Sequence, residues 1–460
     1  MPARLRLDVF TPLPPLPTEI ANHSAAMLPS LAALAEVRVW TEQESWVPMP
    51  GVVVHRFSPH AIPFQELNQA DATFYNLGNN APFHAAIHQV ARRAPGIVIL
   101  HDTNLQHFFA HYGVHAPETA PLYLEAMRRW YGPVAEAEAA QLIAGTVSTD
   151  VLASRYPLTL EAAEGTIGVV THNEAESRAL ARTTRLPVYH VPLSFDLQRV
   201  PPLRASRQSG APPWRLLVFG FIGSNRRLQG ILRALAQSDV RHLFVLDVYG
   251  MMEDARAFDV LVNELGLAAQ VARHGFVERA VLELALARAD LALNLRYPTM
   301  GEASSSQLHI WANALPTLVS RVGWYAALPE DTVFHVDPAR EVEDIQAHLA
   351  AFAHDRAPFD AAGQRGRERL LRLHGTERYA EALLEIVQEA PVQHGRRAAI
   401  DMARTATRHL LELAGADAMS LLTRPVAERI ATLCASHSHA SNESAFPIAT
   451  KAGVMKAIVR

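Results

Sequence analysis

Short apolar runs alternate with helical patterns along most of this chain, and that rhythm is the tightest constraint on its fold. Runs of four to seven apolar residues bounded by turn residues are the mark of strands buried on both faces. Separated by helical stretches, they read as βαβ units feeding parallel sheets. In the first half the strand candidates are Leu5–Phe10, Val37–Trp40, Val52–His55, Thr73–Asn76, Ile97–Leu100, Ile167–Val170 and Val188–Val191, with helices expected over Asn22–Ala33 and Phe83–Arg93. A polar, proline-bearing stretch ending at Trp214 reads as a linker. The alternation then restarts at Arg215–Phe219, Leu243–Tyr249, Val271–His274, Leu291–Leu295, Thr317–Ser320 and Val333–Val336. From Glu341 onward only helical pattern remains.

The expected fold class is therefore α/β, with two doubly wound Rossmann-like domains facing a cleft and a C-terminal helical extension. The boundaries fall at 1–198 for the first domain, 199–213 for the linker, 214–390 for the second domain and 391–460 for the tail. Such folds bind ligands outside the carboxyl ends of their strands. The segment Ala289–Leu328 places a buried strand before a loop with Glu302 and three serines, then a helix. Unpaired N–H groups and the helix dipole make that a seat for an anion, and a nucleotide diphosphate is the first ligand to expect.

Composition narrows the choices. The 460 residues are 49% hydrophobic and 19% charged, as in ordinary globular chains. A formal charge of −4 gives no reason to expect nucleic acid as a partner. The single cysteine, Cys434, rules out a disulfide framework and fits a reducing cytoplasm. No apolar run approaches the ~18 residues needed to cross a bilayer, and the opening MPARLRLDVFTPLPP reaches prolines before a secretory core forms.

Four segments, in order, resemble the retaining GT-B glycosyltransferases of the family 4 type: PLPPLPTEIANHSAAMLPSLA (Pro12 to Ala32); YNLGNN with PGIVILHD (Pro95 to Asp102); FGFIGSNRRLQGILRAL (Phe219 to Leu235); and HGFVERAVLELALARADLALNLRYPTMGEASS from His274. The resemblance covers roughly residues 5–390. It implies a hexosyltransferase using a nucleotide-diphosphate sugar as co-substrate, with no metal and no other cofactor. It points to His101, Asp102 and Glu302 as catalytic residues. Arg226, Arg227 and the N–H groups of Ala303, Ser304 and Ser305 would hold the donor phosphates. His274, Gly275, Phe276, Val277 and His309 would line the nucleotide, with Asn22, His23 and Asn79 on the acceptor side. The acceptor would be a glycan or glycolipid, as in polysaccharide biosynthesis. Peripheral contact with the inner face of a membrane stays open, as does oligomeric state.

Three positions depart from the family pattern. Glu19 replaces a glycine in the first loop, where a carboxylate would repel a diphosphate unless turned away. Phe221 stands for an arginine, and His309 for a glutamate. These departures keep two alternatives in view: a catalytically weak relative that binds sugar nucleotide or glycan, and a GT-B sugar-nucleotide epimerase. A Rossmann dehydrogenase is remote, because no GxGxxG follows an early strand.

Two histidine patterns invite a metal reading. His107, His111 and His115 recur at helical spacing, but no carboxylate completes a site and Gly113 weakens the helix. Cys434, His437 and His439 resemble a fragment of a zinc site in the tail. Phe108, Phe109, Tyr112 and the cluster Met127–Tyr131 mix aromatics with arginines, as a membrane-facing rim or ordinary helix packing would.

Overall fold

The structure is a computed structural model that describes residues 4–115, 117–202 and 211–388. The chain divides into a compact unit, Met1–Leu383, and a second one, Leu384–Arg460. Nearly all of the second unit, with the expected tail and Cys434, His437 and His439, lies outside the described residues.

The first unit holds two parallel sheets. The N-terminal sheet contains β1 (Arg6–Phe10), β2 (Glu36–Thr41), β3 (Val53–Arg56), β4 (Ala72–Leu77), β5 (Ile97–Leu100), β6 (Gly168–Thr171) and β7 (Val188–His190), in the order β3-β2-β1-β4-β5-β6-β7. The second sheet contains β8 (Trp214–Phe219), β9 (Phe244–Tyr249), β10 (Val271–Gly275), β11 (Leu291–Asn294), β12 (Thr317–Ser320) and β13 (Phe334–Val336), in the order β10-β9-β8-β11-β12-β13. Every expected strand is present, with ends displaced by no more than about one residue. Both orders reverse direction once, between β1 and β4 and between β8 and β11, and crevices open at such switch points.

The central strands are buried end to end. Every residue of β4, β5, β6, β11 and β12 is inaccessible, which is why they read as unbroken apolar runs. The first helix runs Glu19–Leu34, three residues earlier than expected, because Thr18 caps it by accepting from the N–H of Ile20. The helix before β5 spans Ala81–Ala91. Between β5 and β6 lie three longer helices, Gln106–His115, Ala120–Tyr131 and Pro133–Ile143, and two short ones, Thr149–Ala153 and Thr159–Ala162.

Each sheet has its own core. Phe10, Tyr75, Val98 and Phe108 lie in the first, and Leu216, Phe244, Leu246 and Phe352 in the second. A third cluster joins Leu193 and Phe195 to Trp311, Trp324 and Tyr325, tying the end of the first domain to the second. The chain also returns: after the helices Glu341–His354 and Ala357–Leu373, His374 Nδ1 donates to Leu193 O at 2.7 Å and its carbonyl accepts from Phe195 N. Ser30 donates to Thr376 at 2.9 Å on the first helix.

The aromatic-rich rim is packed inward. Phe108 and Phe109 are buried, Arg128 pairs with Glu136, Arg129 with Glu164, and Trp130 donates to Glu161 at 2.8 Å. Among the described residues, no helix is long and apolar enough to cross a membrane.

Strands β8, β9 and β10 each end in a glycine of positive φ: Gly220, Gly250 and Gly275. Gly250 N donates to Gly275 O at 2.7 Å, and a Cβ on Gly250 would overlap the Gly220 carbonyl. We expect Gly250→Ala to cost roughly 2–4 kcal/mol, combining a disfavoured φ with a backbone clash. Denaturant unfolding of both proteins measures this, and a loss below about 1 kcal/mol would mean the neighbouring turns relax freely.

Candidate functional site

The site is built from strand ends. β5 delivers His101 and Asp102 to the carboxyl edge of the first sheet, and β4 delivers Asn79. Asp102 Oδ2 accepts from Asn79 N at 2.8 Å. His101 Nε2 lies 2.8 Å from Asn76 Oδ1, so that nitrogen carries the proton and Nδ1 keeps its lone pair. The Asn79 side chain reaches the first turn of the helix Gln106–His115, accepting from Phe108 N at 2.9 Å.

From the second sheet, β11 feeds the loop that carries Glu302. This loop faces the opposite domain directly. Thr103 N and Asn104 N both donate to Met300 O, at 3.0 and 2.9 Å. Gly301, at φ +76, lies so close to Thr103 that a Cβ there would overlap its Oγ1. Glu302 Oε2 accepts from Met300 N at 2.7 Å and from Thr299 Oγ1 at 2.8 Å. Its other oxygen stands 3.3 Å from Arg296 Nε.

These contacts put Asp102 and Glu302 near one another in a region screened from water. Burial drives the Asp102 carboxyl up to about 7, and the charge of Glu302 pushes it the same way. The Asn79 N–H and Arg296 pull it back in part.

The helix Ser305–Ala312 starts beside this loop, with Ser304 as its cap accepting from Gln307 N at 3.1 Å. Ala303, Ser304 and Ser305 thus stand at a helix N-terminus, where backbone N–H groups favour an anion. The chain's own carboxylate reaches that place: Ser305 Oγ donates to Glu19 Oε2 at 3.0 Å, across the two domains. Glu19 is turned toward the anion seat.

The arginine pair divides. Arg226 is 4% exposed and donates to Asn294 Oδ1 at 2.8 Å and Ser306 Oγ at 3.3 Å. Burial lowers its guanidinium to about 9, with Arg296 nearby acting in the same direction. Asn294 Nδ2 extends this network to Ser304 Oγ and Gln307 Oε1. Arg227 points elsewhere, donating to both carboxylate oxygens of Glu341.

Of the expected nucleotide contacts, His274 stacks on Tyr249 and bonds Asp247 at 2.8 Å through Nε2. Phe276 is highly exposed, at 77%, His274 is exposed beside it, and Gly275 and Val277 are half-buried. His309 packs its ring against Phe195, 5.0 Å between centroids. On the first helix Asn22 is exposed, while His23 Nε2 meets Ser194 Oγ at 2.9 Å.

Sequence reasoning missed His172, Tyr379 and Arg296. β5 and β6 end alike, in His101-Asp102 and His172-Asn173, and their register sets Leu100 beside Thr171. His101 and His172 therefore touch, 4.7 Å apart, with His23 at 5.3 Å from His101 and Tyr379 at 5.1 Å from His23. That repeated strand ending was the available signal. Burial holds these imidazoles neutral: His23 falls to about 3, His172 to about 4, and His101 well below its usual value.

His107 bonds Asp150 at 3.0 Å, and His111 lies against His115. Among the described residues, no group of three or more His, Cys, Asp or Glu is placed to hold a metal ion.

No protein-family model matches the sequence, and no curated protein matches it. Solved structures do match. HepE of Anabaena, in complex with UDP-glucose, superposes with a TM-score of 0.57 at 12% identity, over 84% of this chain and 100% of that one. Sucrose-phosphate synthase from Thermosynechococcus elongatus gives 0.56 at 15%, over 84% and 99%. WaaG, a glycosyltransferase involved in lipopolysaccharide biosynthesis, gives 0.52 at 15%, over 83% and 99%. The chain has the GT-B fold. At these identities the likeness carries the architecture and leaves the chemistry to the site.

Two outcomes follow from the site's charges. Replacing Glu19 by glycine removes a carboxylate from the anion seat, so inorganic pyrophosphate and UDP should bind about tenfold more tightly, a gain near 1.4 kcal/mol. Calorimetry on Glu19→Gly and Glu19→Gln tests this, and unchanged affinity in both would show that Glu19 does not compete. Asp102 titrates higher folded than unfolded, so the folded state holds the extra proton between about pH 4 and 7 and stability falls as pH rises through that window. Asp102→Asn should be more stable than wild type by roughly 2–4 kcal/mol above pH 7, a gap that closes toward pH 4. Melting temperatures of both proteins from pH 4 to 9 would reveal a flat difference if Asp102 were not buried as described.

Proposed function

We propose that this chain is a retaining glycosyltransferase that moves a hexose from a nucleotide-diphosphate sugar to a glycan or lipid-linked acceptor. The observation that carries the reading is the meeting of Asp102 and Glu302, from opposite domains, beside the N-terminus of the helix Ser305–Ala312. Nucleotide departure leaves new charge on a diphosphate, and preorganised N–H donors with a guanidinium are what that step needs. In this reading Arg226 and the N–H groups of Ala303 to Ser305 take the diphosphate, and Glu302 holds the donor sugar. Gly275, Phe276 and Val277 border the base. His101, neutral and with Nδ1 free to accept, meets a hydroxyl of the sugar or acceptor from the opposite side, with His23 and Asn22 on the acceptor face.

HepE supplies independent support, since its structures contain UDP and UDP-glucose on the same architecture. Closure of the two domains around the cleft would keep water from the activated sugar. No metal ligand set enters this scheme.

Two observations favour a second reading. Glu19 on the helix start and Arg227 bound to Glu341 both subtract from phosphate binding, as expected of a catalytically weak relative that binds sugar nucleotide or glycan. The epimerase alternative draws no comparable support from the site.

UDP-glucose should raise the melting temperature of the wild type, since a ligand that prefers the folded state stabilises it. Glu302→Ala should lower donor turnover by about 10²-fold or more, the scale of losing a transition-state contact. Equal, negligible turnover in both proteins would favour the binding role, and an epimerised sugar seen by NMR with donor alone would favour the epimerase.

A further inference from the structure

The anion seat has a second cation beyond Arg226, and it comes from the other side of the switch point. Arg296 lies two residues past the end of β11, its N–H held by Ser320 Oγ at 3.0 Å. Its Nε is buried without a hydrogen-bond partner, although Glu302 Oε1 stands only 3.3 Å away, because the approach lacks bonding geometry. The ion pair therefore leaves a donor unspent. With 19% of its side chain exposed, Arg296 is also not sealed off from solvent.

The two guanidiniums are neighbours. Arg226 and Arg296 lie close enough to repel, with the carboxylates of Glu302 and Glu19 near Arg226 and the Asp102 carboxyl pushed up to about 7 by burial and by Glu302. Two neighbouring guanidiniums in a region of low dielectric favour an anion, and a diphosphate that displaces the Glu19 carboxylate from Ser305 would supply one. Arg227 cannot fill this role while it is bound to Glu341.

We propose that Arg296 is a phosphate-binding residue, gripping the diphosphate of the nucleotide sugar from the β11 side while Arg226 grips it from the β8 side. The inference rests on the nucleotide-sugar reading above. Its rival is a purely structural Arg296 that does no more than hold Glu302 in place. A guanidinium suits the direct role, since its planar fork can engage two phosphate oxygens at once.

A double-mutant cycle separates the two. UDP and inorganic pyrophosphate are titrated by calorimetry into wild type, Arg296→Gln, Glu302→Gln and the double variant. The direct role requires Arg296→Gln to weaken both ligands at least tenfold, with and without Glu302. It also requires a shallower dependence of affinity on salt. Loss of the effect in the Glu302→Gln background assigns Arg296 to positioning and overturns the proposal, as does unchanged binding. Arg296→Lys keeps the charge if Arg296→Gln fails to fold; affinity above that of Arg296→Ala supports the proposal, and equal affinity overturns it. Failure of the wild type to bind either ligand brings down the nucleotide-sugar reading itself, and this inference with it.

Discussion

Two main-chain hydrogen bonds, from Thr103 and Asn104 to the carbonyl of Met300, set the distance on which the whole site depends. They join the loop after β5 to the loop after β11, so here the two domains meet through backbone as well as through side chains such as Ser305 and Glu19. Gly301 makes the approach sterically feasible, because any Cβ there would run into Thr103. The consequence is immediate. Asp102 precedes one donor and Glu302 follows the acceptor by two residues, so fixing these loops fixes the two carboxylates relative to each other.

Holding two carboxylates together in a dry place has an energetic cost, and the fold offsets it by three separate means. Asp102 shifts toward its protonated form, accepting a bond from Asn79. Glu302 is given two hydrogen bonds from its own turn and a guanidinium at ion-pair distance. The neighbouring histidines stay neutral, so they add no charge to the cleft. Acid works against this last arrangement. Imidazoles whose folded values lie below the unfolded one contribute stability above about pH 6.5 that is lost as pH falls. The Asp102 and histidine contributions therefore run in opposite directions with pH.

The fold was legible because its signal is local. Central parallel strands buried on both faces must be mainly apolar, and such runs stand out from the amphipathic helices between them. His101, Asp102 and Glu302 were legible for a related reason, as polar residues placed immediately beyond buried strands or their loops. What stayed hidden depends on distance along the chain. Arg227 looked like a phosphate ligand until Glu341, 114 residues away, came to its side. Tyr379 reaches His23 only because the last helix returns to the first domain, and no periodicity announces that return. Arg296 was passed over for another reason: it sits among residues read as one strand and loop, and its place between Glu302 and Arg226 exists only after folding.

Charge and closure are coupled by this geometry. Glu19 on the first helix and Ser305 on the second domain are joined at 3.0 Å, so under the proposed reading an incoming diphosphate would meet a negative group that belongs to the opposite lobe. A ligand can take the seat only by breaking that contact, and by linkage the contact must then weaken ligand binding by the same free energy. The backbone bonds at Met300 resist a wide separation of the loops. Displacement of Glu19 is therefore most economical as a local rotation of an exposed side chain at the start of its helix, leaving Asp102 and Glu302 where they are. Under the proposed reading one rotamer would control access to the anion seat, while the carboxylate pair is held by the framework.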